Sequence, residues 1–400
     1  MLAEMAKKIR FLREINTLYS YILLRGHVKI RSALKLPPLY PYEETYFLDE
    51  GTQRIVDQLK TAIPDHERGD NPSFNKNWKS IGEREETAKR ISRQIRQIVP
   101  NTPSPINGNW LGSIRDVGYG SLEHKNLEPK KVDTIVAYLN EQKVYPSHVA
   151  HFSVEKPKAK NIIKKNYTFG SYDMQTIIRA PYVAEMLCDG EMISSIAEYF
   201  GCLPTISSVN LFWAFASKDG KSRGPQRFHR DVDDYKTCTM FINLTDTKED
   251  EGAHCYIEKT HTLERLKTIF PESRNDDLEN DLNPYKRRLT PEDLFQLPLN
   301  GYGSDKLYQH FLKEHMVNLY GERGMLLITD NYGIHRGVPS KNSDRLILWV
   351  SFALTATHTQ SAEVKPQKRI PYARINDRIE DNKVNRYVLR NVVDFSGYLK

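Results

Sequence analysis

The sequence predicts a mainly β protein with flanking helices, an α+β fold whose helical N-terminal region precedes a β-rich second half. Before residue 200, apolar residues recur every three or four positions, which is the spacing of amphipathic helices. After residue 208, the pattern changes to short apolar and aromatic segments that are typical of strands. Because these segments do not alternate with helices, they indicate a sandwich or a barrel and not β-α-β units.

The helical half contains one especially clear element. Residues 83–99 place Ala88, Ile91 and Ile95 on one face, and Pro100 follows directly. Three further helices are predicted at residues 52–63, 128–140 and 181–199.

The β-rich half is interrupted once. Residues 262–323 contain a long polar run, a capping-box pattern at 290–293 and a helical pattern at 304–316. An insertion of this length in a β scaffold is typical of a lid or a rim. The strands are predicted at residues 209–216, 237–244, 254–257, 325–329 and 346–354.

Proline and glycine mark the division of the chain. The stretch from residue 101 to 120 contains two prolines and four glycines, and we interpret it as a boundary. We therefore expect a basic helical region at 1–105, a main domain at 106–360 that includes the insertion, and a C-terminal extension at 361–400. The length of 400 residues with 39% hydrophobic residues fits one large domain with such additions.

Most of the positive charge lies at the N-terminus. Residues 1–36 hold eight Lys or Arg against two Glu, whereas the whole chain has a net charge of +7. An apolar stripe through this segment predicts a basic amphipathic helix, which suits docking to a membrane surface or a protein partner. Packing of the same helix on its own protein is the simpler alternative. Because the remainder is nearly neutral, we do not expect a nucleic-acid partner.

The cysteine pattern points to a reducing compartment. Cys188, Cys202, Cys238 and Cys255 are scattered and form no C-x-x-C pair, which argues against a cysteine zinc site. We find neither a secretory signal nor a run of about 20 apolar residues that could span a bilayer. These observations together predict a cytoplasmic protein.

The motif Phe228-His229-Arg230-Asp231 carries the first chemical signal. On an extended chain, side chains two positions apart point the same way, so His229 and Asp231 can coordinate one metal ion together. A third ligand would complete a facial triad, the arrangement of iron(II) oxygenases, and leave positions open for a co-substrate and O2.

The third ligand is expected beside another strand. His335 follows the buried strand at 325–329 and its turn, and Arg345 opens the next strand ten residues later. A guanidinium can take a carboxylate through two parallel hydrogen bonds. These positions suit 2-oxoglutarate, whose keto-acid end chelates iron and whose far carboxylate needs an anchor.

Three segments resemble the phytanoyl-CoA dioxygenase family of iron(II)/2-oxoglutarate oxygenases. Residues 226–231, QRFHRD, resemble its Q-x-W-H-x-D motif, and residues 251–261, EGAHCYIEKTH, resemble its G-P-x-x-V-I-P-G-S-H stretch. Residues 324–345 resemble its final G-D…H segment with the arginine that follows. The resemblance covers about residues 120 to 355.

This resemblance implies a double-stranded β-helix, also called a jelly roll or cupin-like core, with flanking helices. It implies that His229, Asp231 and His335 bind iron(II), and that Arg345 binds the co-substrate 2-oxoglutarate. With O2 as the oxidant, the expected reaction hydroxylates an unactivated C–H bond and releases succinate and CO2. Because Asp231 stands where related halogenases have a small residue, the resemblance favours an oxygenase.

Substrate contacts are less determined by the sequence. A small-molecule substrate, small or medium in size and polar, is the expected partner. His254 and His261 could contact the substrate or support a metal ligand. For His254 a strand-end polar residue is the simpler alternative, and His261 matches a family position that is not a ligand. Candidate pocket residues near the motifs are Asn210, Trp213, Gln226, Arg230, Tyr256 and Arg336.

Two other functions stay open at this stage. Zinc accepts the same His/Asp/His set and activates water, so a zinc-dependent hydrolase is one alternative. A catalytically silent metal-binding module is the other. Arg345 would have no role in the hydrolase.

Overall fold

A computed structural model describes most of the chain from residue 81 onward. The predicted helix at 1–36 lies outside the described residues, and of the helix predicted at 52–63 only residues 54 and 58 are described, both helical. The described residues are 54, 58, 81–99, 109–150, 153, 155–217, 222, 224–231, 234–270, 290, 291, 294, 305–354 and 369–395.

The described strands form two main antiparallel sheets and one short pair. In chain order they are β1 (Tyr119–Ser121), β2 (Phe169–Ser171), β3 (Thr205–Ala214), β4 (Thr237–Asn243), β5 (His254–Ile257), β6 (Met316–Leu319), β7 (Leu326–Thr329), β8 (His335–Gly337), β9 (Arg345–Ala353), β10 (Ile370–Pro371) and β11 (Val393–Asp394). The larger sheet has the order β1-β7-β4-β9-β3-β2, and the smaller sheet has the order β6-β5-β8. Strands β10 and β11 pair in parallel.

Ten described helices are interleaved with these strands, and seven of them come before β3. They are α1 (Ile81–Ile98), α2 (Trp110–Asp116), α3 (Pro129–Asn140), α4 (Lys160–Lys164), α5 (Met174–Arg179), α6 (Val183–Leu187), α7 (Gly190–Phe200), α8 (Leu263–Ile269), α9 (Asp305–Phe311) and α10 (Lys383–Leu389). Buried residues of α1, α3, α5 to α7 and α10 share one hydrophobic core with the larger sheet. Mixed helix and antiparallel sheet is therefore the observed fold class, as the sequence predicts.

Alternation along β9 separates the two faces of the larger sheet. Leu346, Leu348 and Val350 are fully buried in the core shared with the helices. Ile347 and Trp349 belong to a separate, smaller cluster on the opposite face. Because side chains of a strand alternate between faces, this second face is the one turned away from the helices. The candidate site lies on it.

The smaller sheet has its own hydrophobic support. Cys255 and Ile257 of β5 pack in a second core with residues of α8 and α9. The described parts of the 262–323 segment thus back the smaller sheet. The segment also contributes β6, a strand that the sequence analysis missed because its four residues directly follow a 3₁₀ turn.

One further sequence expectation needs correction. The helix predicted at 181–199 is divided into α6 and α7, because the Asp189 side chain accepts a hydrogen bond from the backbone N–H of Met192 and so caps a new helix. The described part of the stretch 101–120, residues 109–120, contains α2 and the start of β1, which pairs with β7. The cap at Gly201, with a φ of 75°, ends α7.

The remaining predictions of strands and helices agree with the structure to within a few residues. β3, β4, β5, β7 and β9 correspond to the five predicted strands, and α1 and α3 to the predicted helices at 83–99 and 128–140. The predicted helix at 304–316 is shorter, since α9 ends at Phe311. Among the described helices, none is long and apolar enough to cross a membrane.

Candidate metal centre and active site

Backbone hydrogen bonds hold the two parts of the predicted metal site together. The N–H of His229 donates to the carbonyl of His335 at 2.9 Å, and the N–H of His335 donates back at 3.0 Å. The N–H of Asp231 donates to the carbonyl of Asn331 at 2.9 Å. Residues 229–231 and 331–335 therefore form an antiparallel pair, which fixes where the three side chains begin.

His229, Asp231 and His335 converge on one point. One ligand atom from each lies within 4.8 Å of the others, and no other such group occurs in the described part of the chain. The Asp231 carboxylate lies 3.6 Å from Nε2 of His229 and 3.7 Å from Nε2 of His335. These separations suit an ion bound by all three, because metal–ligand bonds to nitrogen and oxygen are about 2.0–2.2 Å long.

Both imidazoles are held with the same nitrogen toward the site. Nδ1 of His229 lies 2.7 Å from the carbonyl oxygen of Arg227, and Nδ1 of His335 lies 2.9 Å from that of Gly333. A neutral imidazole has one N–H, so these contacts place the proton on Nδ1 and leave the Nε2 lone pair for a metal. Burial, together with the neighbouring His229, lowers the pKa of His335 well below its usual value.

A network of polar side chains orients the carboxylate of Asp231. The Asn331 amide nitrogen donates to Oδ2 of Asp231 at 2.8 Å and to Oγ1 of Thr239 at 3.0 Å. Oγ1 of Thr329 in turn donates to the Asn331 side-chain oxygen. This network fixes the direction of the Asn331 amide, and hence of the carboxylate that it contacts.

A cavity of about 250 Å³ adjoins the three residues and reaches Arg345. Arg345 is 7% exposed, and its Nη1 donates to the carbonyl oxygen of Gly252. Its Nε is buried without a hydrogen-bond partner, and no described carboxylate pairs with it. Burial lowers the pKa of Arg345 to about 10, so the guanidinium remains charged at neutral pH.

A buried cation without a counter-charge favours an anionic ligand in the cavity. Burying a charge costs free energy unless a partner compensates it, and a guanidinium pairs best with a carboxylate. Arg345 lies at the start of β9, and along the same face Ile347 and Trp349 follow it into the cavity wall. The residues present thus fit a carboxylate-bearing ligand.

The rest of the cavity wall is largely aromatic. Phe169 and Phe212 meet edge to face with ring centroids 6.1 Å apart, and His148 lies 5.8 Å from Phe169. Phe241 and Trp349, cross-strand neighbours on β4 and β9, continue the wall. Phe212 and Trp349 lie on the face of the larger sheet that is turned away from the helices, and both are only partly buried. Their rings are therefore available to a ligand.

His254 is a wall residue, although the sequence analysis favoured a plain strand-end polar residue at this position. Its ring stacks on His335 with centroids 5.2 Å apart and lies 4.8 Å from the ring of Phe241. It is 5% exposed, and burial lowers its pKa well below the usual value, with His335 and Arg345 adding to the effect. The sequence signal was available, since a histidine at the first position of a buried strand is an unusual choice.

Of the six candidate pocket residues, Gln226 lines the cavity. Trp213 does not, because it lies on the opposite face of β3 from Phe212 and donates through its indole N–H to the Tyr172 hydroxyl at 2.9 Å. Asn210 lies on the same face of β3 as Phe212 but is not among the residues that line the cavity. Its side-chain amide donates to the carbonyl oxygen of His148 at 2.7 Å.

The other three candidates also lie outside the wall. Arg230 is buried and donates to the carbonyl oxygens of Thr260 and Tyr332, because its neighbours His229 and Asp231 occupy the opposite side of the strand. The Tyr256 hydroxyl donates to the carbonyl of Asp330 at 2.7 Å.

Arg336 lies over the ring of Phe228, 4.3 Å from its centroid, and therefore points away from the cavity that His335 faces. His261 contacts the carbonyl oxygen of Arg115 at 3.2 Å and is not among the residues that line the cavity. Two further aspartates follow the His229–Asp231 motif in the chain. Asp234 is fully buried, and its carboxylate accepts a hydrogen bond from the backbone N–H of Tyr235, whereas Asp233 lies outside the described residues.

Comparison with known proteins finds neither a matching family model nor a matching curated protein. Solved structures do match. The crystal structure of AviO1 from Streptomyces viridochromogenes Tue57 is 13% identical, with a TM-score of 0.35, over 63% of this chain and 96% of that one. The non-heme alpha ketoglutarate dependent carbocyclase SnoK from nogalamycin biosynthesis is 13% identical, with a TM-score of 0.37, over 64% and 86%.

EctD from S. alaskensis, solved with 2-oxoglutarate and 5-hydroxyectoine, is a third match. It is 12% identical, with a TM-score of 0.40, over 63% of this chain and 77% of that one. All three TM-scores are below 0.5, so the function of this chain has to be argued from its own residues.

Proposed function

We propose that this protein is an iron(II)- and 2-oxoglutarate-dependent oxygenase of the phytanoyl-CoA dioxygenase type, with a double-stranded β-helix as its core. The observation that supports it best is a single cavity shared by the His229, Asp231 and His335 ligand set and the unpaired cation of Arg345. Two histidines and one carboxylate form the ligand set of non-haem iron(II) oxygenases. A zinc hydrolase would give the buried Arg345 no role.

The roles of the residues follow from their positions. His229, Asp231 and His335 would hold iron(II), and Arg345 would hold the far carboxylate of 2-oxoglutarate by charge-assisted hydrogen bonds. Iron, 2-oxoglutarate and O2 together supply the oxidation of a C–H bond, with release of succinate and CO2. The chain itself keeps both Nε2 atoms unprotonated, fixes the Asp231 carboxylate and shields the centre with aromatic rings.

The substrate is proposed to be a small molecule whose reacting part is apolar. From the sequence we expected a polar metabolite, but the cavity that adjoins the three metal-binding residues is lined by rings such as those of Phe169, Phe212 and Trp349. Among the described wall residues other than the metal ligands, Arg345 has the only charged side chain. The co-substrate would occupy that side chain. Polar groups of the substrate would then lie toward the mouth.

The wider organisation is part of the same proposal. We propose that residues 106–360 are the catalytic domain, with 1–105 and 361–400 as additions, although α1 and α10 contribute buried residues to the core of the larger sheet. A cytoplasmic location is supported by four cysteines that are all free.

The test is anaerobic visible absorbance of metal-free protein on addition of iron(II) and then 2-oxoglutarate. A weak charge-transfer band is expected in the wild type, absent in Asp231→Ala and weakened in Arg345→Ala. If the wild type shows no band and retains zinc after purification, the oxygenase is wrong, and the hydrolase or a silent binding module takes its place. Thermal melting of each variant separates loss of ligand from loss of fold.

A further inference from the structure

The imidazole of His254 is buried in the cavity wall without a hydrogen bond. Its Nε2 is inaccessible and has no hydrogen-bond partner, and no described residue bonds to its Nδ1 either. A neutral imidazole carries one donor and one acceptor, and leaving such groups unsatisfied inside a protein is destabilising. A buried polar side chain in a cavity wall that pairs with no protein group is expected to pair with what fills the cavity.

The position of His254 lies between the metal ligands and Arg345. On one side its ring stacks on His335. On the other side the chain continues two residues back to Gly252, whose carbonyl oxygen accepts from Arg345. Gly252, His254 and Arg345 all line the cavity, as do His229, Asp231 and His335.

His254 is not suited to be a fourth metal ligand. The convergent ligand group includes His229, Asp231 and His335 only, and His254 is packed flat against one of them. Stacked rings direct their nitrogens within parallel planes and not toward a shared ion. Because Nε2 is inaccessible, Nδ1 is the ring nitrogen of His254 that can form a hydrogen bond to an organic ligand in the cavity.

We propose that His254 is a positioning residue that hydrogen-bonds an oxygen of the bound keto acid, and so forms with Arg345 a two-point site for 2-oxoglutarate. This inference rests on the proposed function. A neutral imidazole can offer an N–H to an oxygen of the ligand without adding charge to the site. The stack on His335 and the contact with Phe241 hold the ring in place, so the hydrogen bond costs little ordering.

The experiment measures the dissociation constants of iron(II) and 2-oxoglutarate separately in full-length protein. Anaerobic titration with iron(II) by calorimetry gives the first, and the charge-transfer band on titration with 2-oxoglutarate gives the second. His254→Leu is expected to weaken 2-oxoglutarate binding on the order of tenfold or more, with iron(II) affinity unchanged. His254→Gln, which keeps a donor of similar reach, is expected to restore part of the loss.

His261→Leu is the matched control. His261 is also buried and has an unpartnered ring nitrogen, but it does not line the cavity. Its replacement should leave both dissociation constants unchanged in protein that remains folded.

Equal 2-oxoglutarate affinity in wild type and His254→Leu overturns the inference and leaves the proposed function intact. Loss of iron(II) binding together with 2-oxoglutarate binding in His254→Leu, without rescue in His254→Gln, also overturns it, because the histidine then only supports the fold. A wild type that shows no charge-transfer band overturns both proposals.

Discussion

The side-chain nitrogen of Asn331 lies 2.8 Å from Oδ2 of Asp231, and it also donates to Thr239 at 3.0 Å. Asn331 therefore connects the carboxylate ligand to the inner face of the larger sheet. Its own backbone carbonyl accepts from the N–H of Asp231, so one residue fixes both the main chain and the side chain of the ligand.

Asn331→Ala is expected to lower metal affinity about 10- to 100-fold, since residues that orient metal ligands commonly contribute that much. Competition with a chelator of known affinity measures the change. Asn385→Ala is the matched control, because Asn385 is equally buried but donates to the carbonyl of Glu380 in the C-terminal part of the chain. Equal metal affinity in the two variants would show that Asp231 needs no support.

Arg345 should separate co-substrate binding from metal binding. Arg345→Ala is expected to weaken 2-oxoglutarate binding on the order of 100-fold, because two charge-assisted hydrogen bonds are lost, and to leave iron(II) affinity unchanged. Arg345→Lys keeps the charge but not the planar fork, so an intermediate affinity is expected. Calorimetric titration with each ligand tests this, and an unaltered 2-oxoglutarate affinity in Arg345→Ala would contradict the assignment.

The aromatic wall of the cavity should bind an uncharged aromatic compound in the metal-free protein. We expect 2-naphthol to quench part of the tryptophan fluorescence of metal-free protein, and Trp349→Phe to remove that part because Trp349 lines the cavity. Trp213→Phe is the control, since Trp213 lies on the other face of the sheet with its N–H on Tyr172. Glucose at the same concentration should cause no quenching; equal quenching by both compounds would argue against an apolar recess.

Alkaline pH should destabilise the fold through Tyr172. Burial raises the pKa of Tyr172 to about 12, whereas an unfolded tyrosine has a pKa of about 10. The neutral form is favoured in the folded state, so its contribution is complete below pH 10 and is lost as the pH rises toward 12. The slope is at most about 1.4 kcal/mol of unfolding free energy for each pH unit.

Urea unfolding at several pH values between 9 and 12 checks this expectation. Tyr172→Phe should flatten the decrease, although it also removes the hydrogen bonds to Leu139 and Trp213 and lowers stability at neutral pH. Tyr320→Phe, at an exposed position, should leave the decrease as in the wild type. An identical pH dependence in all three proteins would mean that other groups dominate.

Local patterns explain why the sequence could predict that His229, Asp231 and His335 come together. His229 and Asp231 share a face because they are two residues apart on an extended segment, and His335 follows a buried strand that ends at a turn. Arg345 was predictable in the same way, as the one charged residue at the start of an apolar strand. Each of these inferences needs only the neighbouring residues.

The cavity wall could not be found that way. Whether Phe212 or Trp213 faces the cavity depends on which face of β3 the helices cover, and that is decided by residues far away in the chain. A shift by one residue exchanges the two faces, which is why Trp213 was a wrong choice. His254 was undervalued for a similar reason, because its burial depends on β6 and β8 on either side of β5.

The paired segments 229–231 and 331–335 have a consequence for substitutions at the site. Their hydrogen bonds join backbone atoms only, from the N–H groups of His229, Asp231 and His335 to carbonyl oxygens of the opposite segment. Replacement of one of the three convergent side chains therefore removes none of these bonds. The chemistry of the site can be altered by a single substitution while the path of the backbone is kept.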